Sequence, residues 1–308
     1  MNTNTLKTTE SKPKNMRLAA LYRFATAISL LTIIGHLWLG FEQSYAVVAV
    51  SLLTGYSVEF ILEWFAAKSE DRRPWYLGGM RSCIEFLLPA HIGSLAVAML
   101  LYSNETLLPV AFASAMAVSS KYLFRVVVNG RTKHFLNPSN TGISITLILF
   151  SWVGIAPPYQ FTENLDGMFN WLLPLFFIVV GSFLNYRFTR RIPLILAWLV
   201  GFAAQAIIRA WFFDASLLTG LLPMTGIAFL LFTFYMISDP GTTPYSIRGQ
   251  IAFGASVATV YGILMLQHVV FGLFFSLVIV CALRGSWLML NNRRTNRLNV
   301  LNPISVNG

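Results

Sequence analysis

The chain has 308 residues, a mean hydropathy of +0.64, 56% apolar residues and only 11% charged ones. Soluble domains carry about 25% charged residues, so a soluble globular fold is excluded and an integral membrane protein is indicated. Lys and Arg outnumber Asp and Glu by 22 to 12, for a net charge of +10. These charges lie between long apolar runs rather than on one soluble face, which argues against a nucleic-acid partner. The two cysteines, Cys83 and Cys281, are far apart and form no CxxC pair. A disulfide framework, a zinc site and a cysteine-ligated iron–sulfur cluster therefore lack support.

A bilayer core about 30 Å thick needs roughly 20 apolar residues at 1.5 Å per residue. Runs that fit lie at 18–40, 45–67, 84–103, 107–124, 141–157, 171–188, 193–213, 217–238, 250–268 and 271–289. The sequence predicts ten helices, with a disordered basic tail over 1–17, a polytopic membrane domain over 18–289 and a basic tail over 290–308. The ninth and tenth spans must form a tight hairpin, because only the Gln267–His268 region separates them.

Alternate connections differ in charge. The N-terminal tail, the loops 68–81, 121–133, 187–191 and 239–248, and the C-terminal tail hold nearly all the basic residues. The others hold Glu42, Glu105, Glu163, Asp166 and Asp214 and no Lys or Arg, Arg209 lying within the seventh span. By the positive-inside rule both termini are cytoplasmic. Most of the net charge is this topology signal, with anionic lipid as its partner.

Two polar segments interrupt the pattern on the basic side. The first runs from Lys121 through Arg125, Lys133 and His134 to Asn137-Pro138-Ser139-Asn140-Thr141-Gly142. The second runs from Tyr235 through Ser238-Asp239-Pro240-Gly241-Thr242-Thr243-Pro244 to Arg248 and Gly249. Each centres on a proline preceded by Asn or Asp, which favours a turn. Ser139, Asn140, Thr141, Thr242 and Thr243 suit the capping of free N–H groups at a helix start, where anions are favoured. Broken segments in corresponding places of two halves, 18–157 and 171–289, point to an internal repeat with a site between its copies. The alternative is a pair of ordinary capped turns. In the site reading, Asn137, Ser139, Asn140, Thr242 and Thr243 converge on an anionic group. Arg125, Lys133 and Arg248 supply countercharge, and Asp239 organises the turn.

With these residues in view, the chain resembles the NqrB/RnfD family, the membrane subunits of sodium-pumping quinone reductases and Rnf electron-transport complexes. The likeness runs from about Lys121 to Arg284. It rests on Phe135-Leu-Asn137-Pro138-Ser139-Asn140, on Ser238-Asp239-Pro240-Gly-Thr-Thr-Pro244, and on Arg248-Gly249-Gln-Ile-Ala-Phe253-Gly254-Ala255. With Ala156-Pro-Pro-Tyr159-Gln-Phe-Thr-Glu163-Asn164 and Phe188-Thr-Arg190-Arg191-Ile-Pro193, it is more similar still to the UnbU-type membrane proteins, found beside enediyne biosynthesis genes and elsewhere. The resemblance implies a multi-pass protein of the bacterial inner membrane with two five-helix, inverted repeats. It also implies an electron-transport or cofactor-binding role, other membrane or redox subunits as partners, and a flavin. Members with covalent FMN carry it on a threonine in an S-G-A-T-like motif, which is missing here. Thr162, the only threonine of the 157–170 loop, lacks that context, so the flavin expected is noncovalent FMN or riboflavin.

Charged groups inside a bilayer are costly and are candidates for function. Glu59 and Glu63 share a helix face near Arg72, Arg73 and Arg81, which suits an ion-pair cluster or a proton or cation ligand. Glu85 favours the positive end of its helix. Arg209 either pairs with Asp214 or snorkels outward. His36 and His91 lie at depths that differ by about 12 Å, which excludes a shared haem iron. No nucleophile–base pair, metal cluster or nucleotide fingerprint appears, so the chain is not expected to be an enzyme alone. The other functions open to it are a small-molecule transporter or permease and a membrane scaffold for a biosynthetic pathway.

Overall fold

The computed structural model describes residues 13–128, 130–157 and 161–301. It is an all-helical bundle with two small β pairings, 75% helical. α1 (Pro13–Ile34) continues as a π-helical turn, Gly35–Leu39, and is followed by α2 (Tyr45–Ser69), α3 (Met80–Leu100) and α4 (Leu108–Leu123). A hairpin of β2 (Arg125–Val128) and β3 (Arg131–His134) leads into α5 (Pro138–Leu149). In the second half α6 (Phe169–Leu184) ends in a π-helical turn, Asn185–Thr189. α7 (Ile192–Phe212), α8 (Leu217–Leu221), α9 (Ile227–Leu231), α10 (Ile247–Leu266) and α11 (Gly272–Leu301) complete it. α8 runs on as a 3-10 turn to Thr225, and α9 as a π-helical turn to Met236.

Among the described residues, seven helices are long and apolar enough to cross a membrane, and the pair 217–225 and 227–236, bent by 69°, makes an eighth if counted as one span. This is a multi-pass membrane protein. The ten expected spans differ from this at the fourth and fifth. α4 has 16 residues and α5 has 12, so at 1.5 Å per residue they reach only about 24 and 18 Å. The apolar run counted as the fifth span outlasts its helix. Beyond Phe150 the chain unwinds, and Gly154 and Ile155 (β4) pair with Tyr102 and Leu101 (β1). At the termini, α1 already begins at Pro13 and α11 continues to Leu301. Residues 1–12 and 302–308 of the expected tails lie outside the described residues.

The lipid-facing surface is apolar: Leu37, Trp171, Trp211 and Leu218 are all more than 70% exposed. Inside, small residues let helices approach closely. A Cβ on Gly142 of α5 would lie 2.2 Å from the Ala113 carbonyl of α4. α2 packs on α3 and α4, and α7 packs on α8 and α10. The second half is centred on packed aromatic rings, with Trp198 stacked on Phe229 and edge-on or tilted against Phe202, Phe232 and Tyr261.

The connections sort by charge into two ends. At one end Asn164 donates to the Trp38 carbonyl at 3.3 Å, Tyr102 donates to Glu42 at 3.1 Å, and Phe41 packs on Phe161. At the other a chain of contacts runs from Arg23 over the Phe188 ring, through Arg191 and Lys133 on the Tyr245 ring, to Asn292 on the Val127 carbonyl. The start of α1 and the end of α11 therefore lie at one end, the basic one. Its described glutamates are paired. Glu63 accepts from Arg72 at 2.5 Å and from the Trp75 amide at 2.9 Å, and Glu59 accepts from Lys121 at 2.5 Å. Glu85 pairs with Arg81, one turn before it. The hydrogen bonds of Glu63 and Glu70 hold the Arg72 guanidinium above its ordinary pKa.

Reporter fusions test the two ends. Fusions after Arg73, Arg190 and Tyr245 should all report the cytoplasm, and those after Ser44, Glu105 and Asp166 the opposite side. A reversal at any one of these connections contradicts the arrangement.

Candidate functional site

The first break does not stay at the edge of the bundle. Phe135 packs at Gly285 of α11, where any Cβ would strike its ring at 2.2 Å, and the Asn140 side chain donates to the Phe274 carbonyl of the same helix at 3.0 Å. Those two points on α11 are about 16 Å apart along the helix axis. The segment thus dives into the bundle before α5 begins, and α5 starts inside it.

Pro138 suits the first helical position, where no N–H is needed, and Asn137 caps it. The Asn137 Oδ1 accepts from the Asn140 amide at 3.0 Å and from the Ser139 hydroxyl at 3.1 Å. Its Nδ2 donates to the Met236 carbonyl at 3.2 Å, the last residue of the π-helical turn that precedes the second break. One amide therefore serves both breaks. Asn137, Ser139 and Asn140 are buried, and the Asn140 Oδ1 has no hydrogen-bond partner.

The second break folds around Asp239. Its carboxylate accepts from the Gly241 amide at 2.9 Å and the Thr242 hydroxyl at 3.3 Å, and its carbonyl accepts from the Thr243 hydroxyl at 2.6 Å. Asp239, Thr242 and Thr243 are turn builders, which is the organising role the sequence suggested for Asp239. Ser246 then caps α10 by accepting from the Gly249 amide at 3.2 Å.

Between the breaks lies a cavity of about 20 Å³ whose lining includes Lys133, His134, Gly241, Thr243, Tyr245 and Arg284. Lys133 donates to the Tyr245 hydroxyl at 2.8 Å, and Arg284 donates to the Thr242 carbonyl at 2.8 Å. Arg191 also lies over the Tyr245 ring, 5.0 Å from its centroid, and reaches the Pro240 carbonyl at 3.4 Å. Only 2% of Arg191 is exposed, its Nε has no partner, and no ion pair to it occurs among the described residues. Burial, with Arg284 nearby, pushes its pKa below the ordinary value, while Tyr245 and Asp239 oppose that shift.

The structure thus brings together Asn137, Ser139 and Asn140 with the end of the second half, and Thr243 with Lys133. It does not bring Arg125 or Arg248 there. Arg125 is exposed, donates to the Lys121 carbonyl at 2.7 Å and lies over the Tyr122 ring. Arg248 is exposed in the first turn of α10. Sequence reasoning missed Arg191 and Arg284. Arg284 was legible as an arginine within the tenth apolar run, whereas Arg191 looked like one more topology charge. The breaks are also not equivalent positions of a five-helix repeat. One joins the fourth and fifth helices of its half, and the other follows the bent third span of the second half. They meet by juxtaposition.

His91 and His36 serve local packing. His91 bridges the hydroxyls of Ser29 and Tyr56, and His36 bonds the Thr32 carbonyl one turn back. Among the described residues no group of three His, Cys, Asp or Glu side chains is placed to hold a metal. Pro158, Tyr159 and Gln160 of the resemblance string lie outside the described residues. No protein-family model and no curated protein matches the chain.

Substitutions at Asn137 test the shared amide. Asn137→Ala should cost about 1–2 kcal/mol for the lost cap and about 0.5–1.5 kcal/mol more for the lost bond to the Met236 carbonyl, which keeps the Asp239 amide as a donor at 3.3 Å. Asn137→Ser keeps an acceptor for the cap and should lose only the second part. Equal losses in thermal unfolding of the two variants would contradict the double role.

Proposed function

We propose that the chain is a membrane-embedded anion-binding protein that holds the phosphate or carboxylate of a ligand where its two broken segments meet. The observation that carries this reading is Arg191, a fully buried guanidinium with no carboxylate paired to it. A buried charge without a partner costs several kcal/mol. Glu59 and Glu63 of the same bundle take cations as partners, whereas Arg191 and Arg284 have no carboxylate within ion-pair distance among the described residues, which suits a place kept for an incoming anion. Arg191 and Arg284 offer fork-shaped donors suited to oxyanions and Lys133 a point charge. The unpaired Asn140 amide oxygen adds a polar group deeper in the same junction.

Within this reading the chain is an NqrB/RnfD-like protein of the bacterial inner membrane. Paired helices α2–α4 and α7–α10, and π-helical ends on α1 and α6, support two related five-helix halves of opposite direction. The ten-span reading counts the short α4 and α5 as crossings.

A flavin fits this site only in part. The cations suit the phosphate of FMN, but a cavity of about 20 Å³ is close to the size of a single water site. A three-ring isoalloxazine has no room there, and a single oxyanion group enters only by replacing the Lys133–Tyr245 contact. The open cations therefore favour an anion-binding or anion-carrying role over a flavin-bearing one.

Ligand-linked stability tests this. Inorganic phosphate should raise the unfolding temperature of the detergent-purified protein, since binding to the folded state at about 100 times Kd adds about 2.7 kcal/mol. Arg191→Met should be at least as stable as the parent without phosphate and gain nothing from it. An unchanged phosphate response in Arg191→Met and Arg284→Met, or a flavin absorption band in the purified protein, would contradict the reading.

A further inference from the structure

Among the described residues, Arg209 is the one Lys or Arg in the last turn of a helix that runs to the acidic end of the bundle. It occupies the last turn of α7, where the helix dipole favours a cation. The dipole explains why a positive charge is tolerated there, but leaves its side-chain donors unassigned. Asp214, the nearest acid in the chain, forms no ion pair with it, and its one side-chain bond is from Nη1 to the Gln205 Oε1 at 3.3 Å. The Arg209 Nε is buried and has no hydrogen-bond partner.

Beside Arg209, between α7, α8 and α10, is a cavity of about 170 Å³. Tyr261 and Thr219 contribute to its wall, and the Tyr261 ring is buried against Trp198 and Phe202. Neither the Tyr261 nor the Thr219 hydroxyl makes a hydrogen bond among the described residues. Pro223, Met265 and Gly220 make the rest of the wall largely apolar. A dry cavity of about 150 Å³ is large enough for a benzene ring.

We propose that this cavity binds a small monocarboxylate, with the carboxylate on Arg209, Tyr261 and Thr219 and a carbon body against Pro223 and Met265. One guanidinium balances a single negative charge, and its fork with two hydroxyl donors can saturate two carboxylate oxygens. A phosphate dianion would bring a second charge that nothing in the wall neutralises. The apolar side has no use for an inorganic ion but favours a hydrocarbon of up to one ring. The site stands apart from the junction of the breaks, at the other end of the bundle, and does not depend on it.

The test is equilibrium binding of radiolabelled benzoate, and separately butyrate, to the full chain in phosphatidylcholine nanodiscs. At least one of the two should bind saturably, one per chain. Benzyl alcohol and inorganic phosphate should not displace it. Arg209→Gln should weaken binding by about tenfold or more and Tyr261→Phe several-fold, as expected for losing a charged and a neutral hydrogen bond. Arg191→Met should leave it unchanged. Ala215→Phe fills the cavity without removing a charge and should abolish binding, which decides the matter if Arg209→Gln fails to fold. No saturable binding of either probe, unchanged affinity in Arg209→Gln or in Ala215→Phe, or displacement by inorganic phosphate or by phosphatidylglycerol in the disc would overturn the proposal.

Discussion

The structure depends on the rule that a polar group inside a bilayer must find its partner within the protein. The side-chain amide of Asn137 meets that rule for two chain segments at once. Its oxygen closes the start of α5, and its nitrogen satisfies the carbonyl of Met236 where the second half leaves its own helix. A helix that begins inside the bundle cannot take its cap from water. The short α5, the deep path of Phe135 to Asn140 along α11, and the contact between halves all follow from that one side chain.

Charge obeys the same rule with two outcomes. Near the basic end, Glu59 takes Lys121 and Glu63 takes Arg72 and the Trp75 amide, which leaves an ion-pair network with a structural task. Arg191, Arg284 and Arg209 are treated otherwise. They bond to carbonyls, a glutamine or an aromatic ring and meet no carboxylate within ion-pair distance among the described residues. A bundle that pairs the glutamates of its basic end and leaves three sheltered arginines without a carboxylate has placed positive potential where an anion can enter. The two open places lie at opposite ends and differ in chemistry. One is tight, with several cations. The other is roomier, with a single cation and an apolar wall.

The membrane class, most of the long helices and the separation of charge between connections were legible in the sequence, because hydropathy and loop charge report on the bilayer directly. Helix ends inside apolar runs were not. The run ending at 157 reads as one span, but α5 stops at Leu149, and Trp152 and Val153 belong to the chain that leads to β4. The meeting of the Asn137 and Asp239 segments was legible from their shared chemistry. Their cations were chosen by closeness in sequence, which pointed to Arg125 and Arg248. Arg125 is exposed at the start of β2 and Arg248 in the first turn of α10, while Arg191 and Arg284 arrive from other elements. Position along the chain carries no sign of that.

The central claim is that the broken segments of the two halves meet at one cationic site. Lys133 and Tyr245 touch across that junction, at 2.8 Å. The direct measurement replaces both by cysteine in a chain with Cys83→Ser and Cys281→Ser, adds a protease site between Phe161 and Phe169, and treats membranes with a short bifunctional thiol-reactive cross-linker. The structure predicts that the two halves stay joined on a denaturing gel after proteolysis. Separate halves, with both cysteines shown to have reacted, would contradict it.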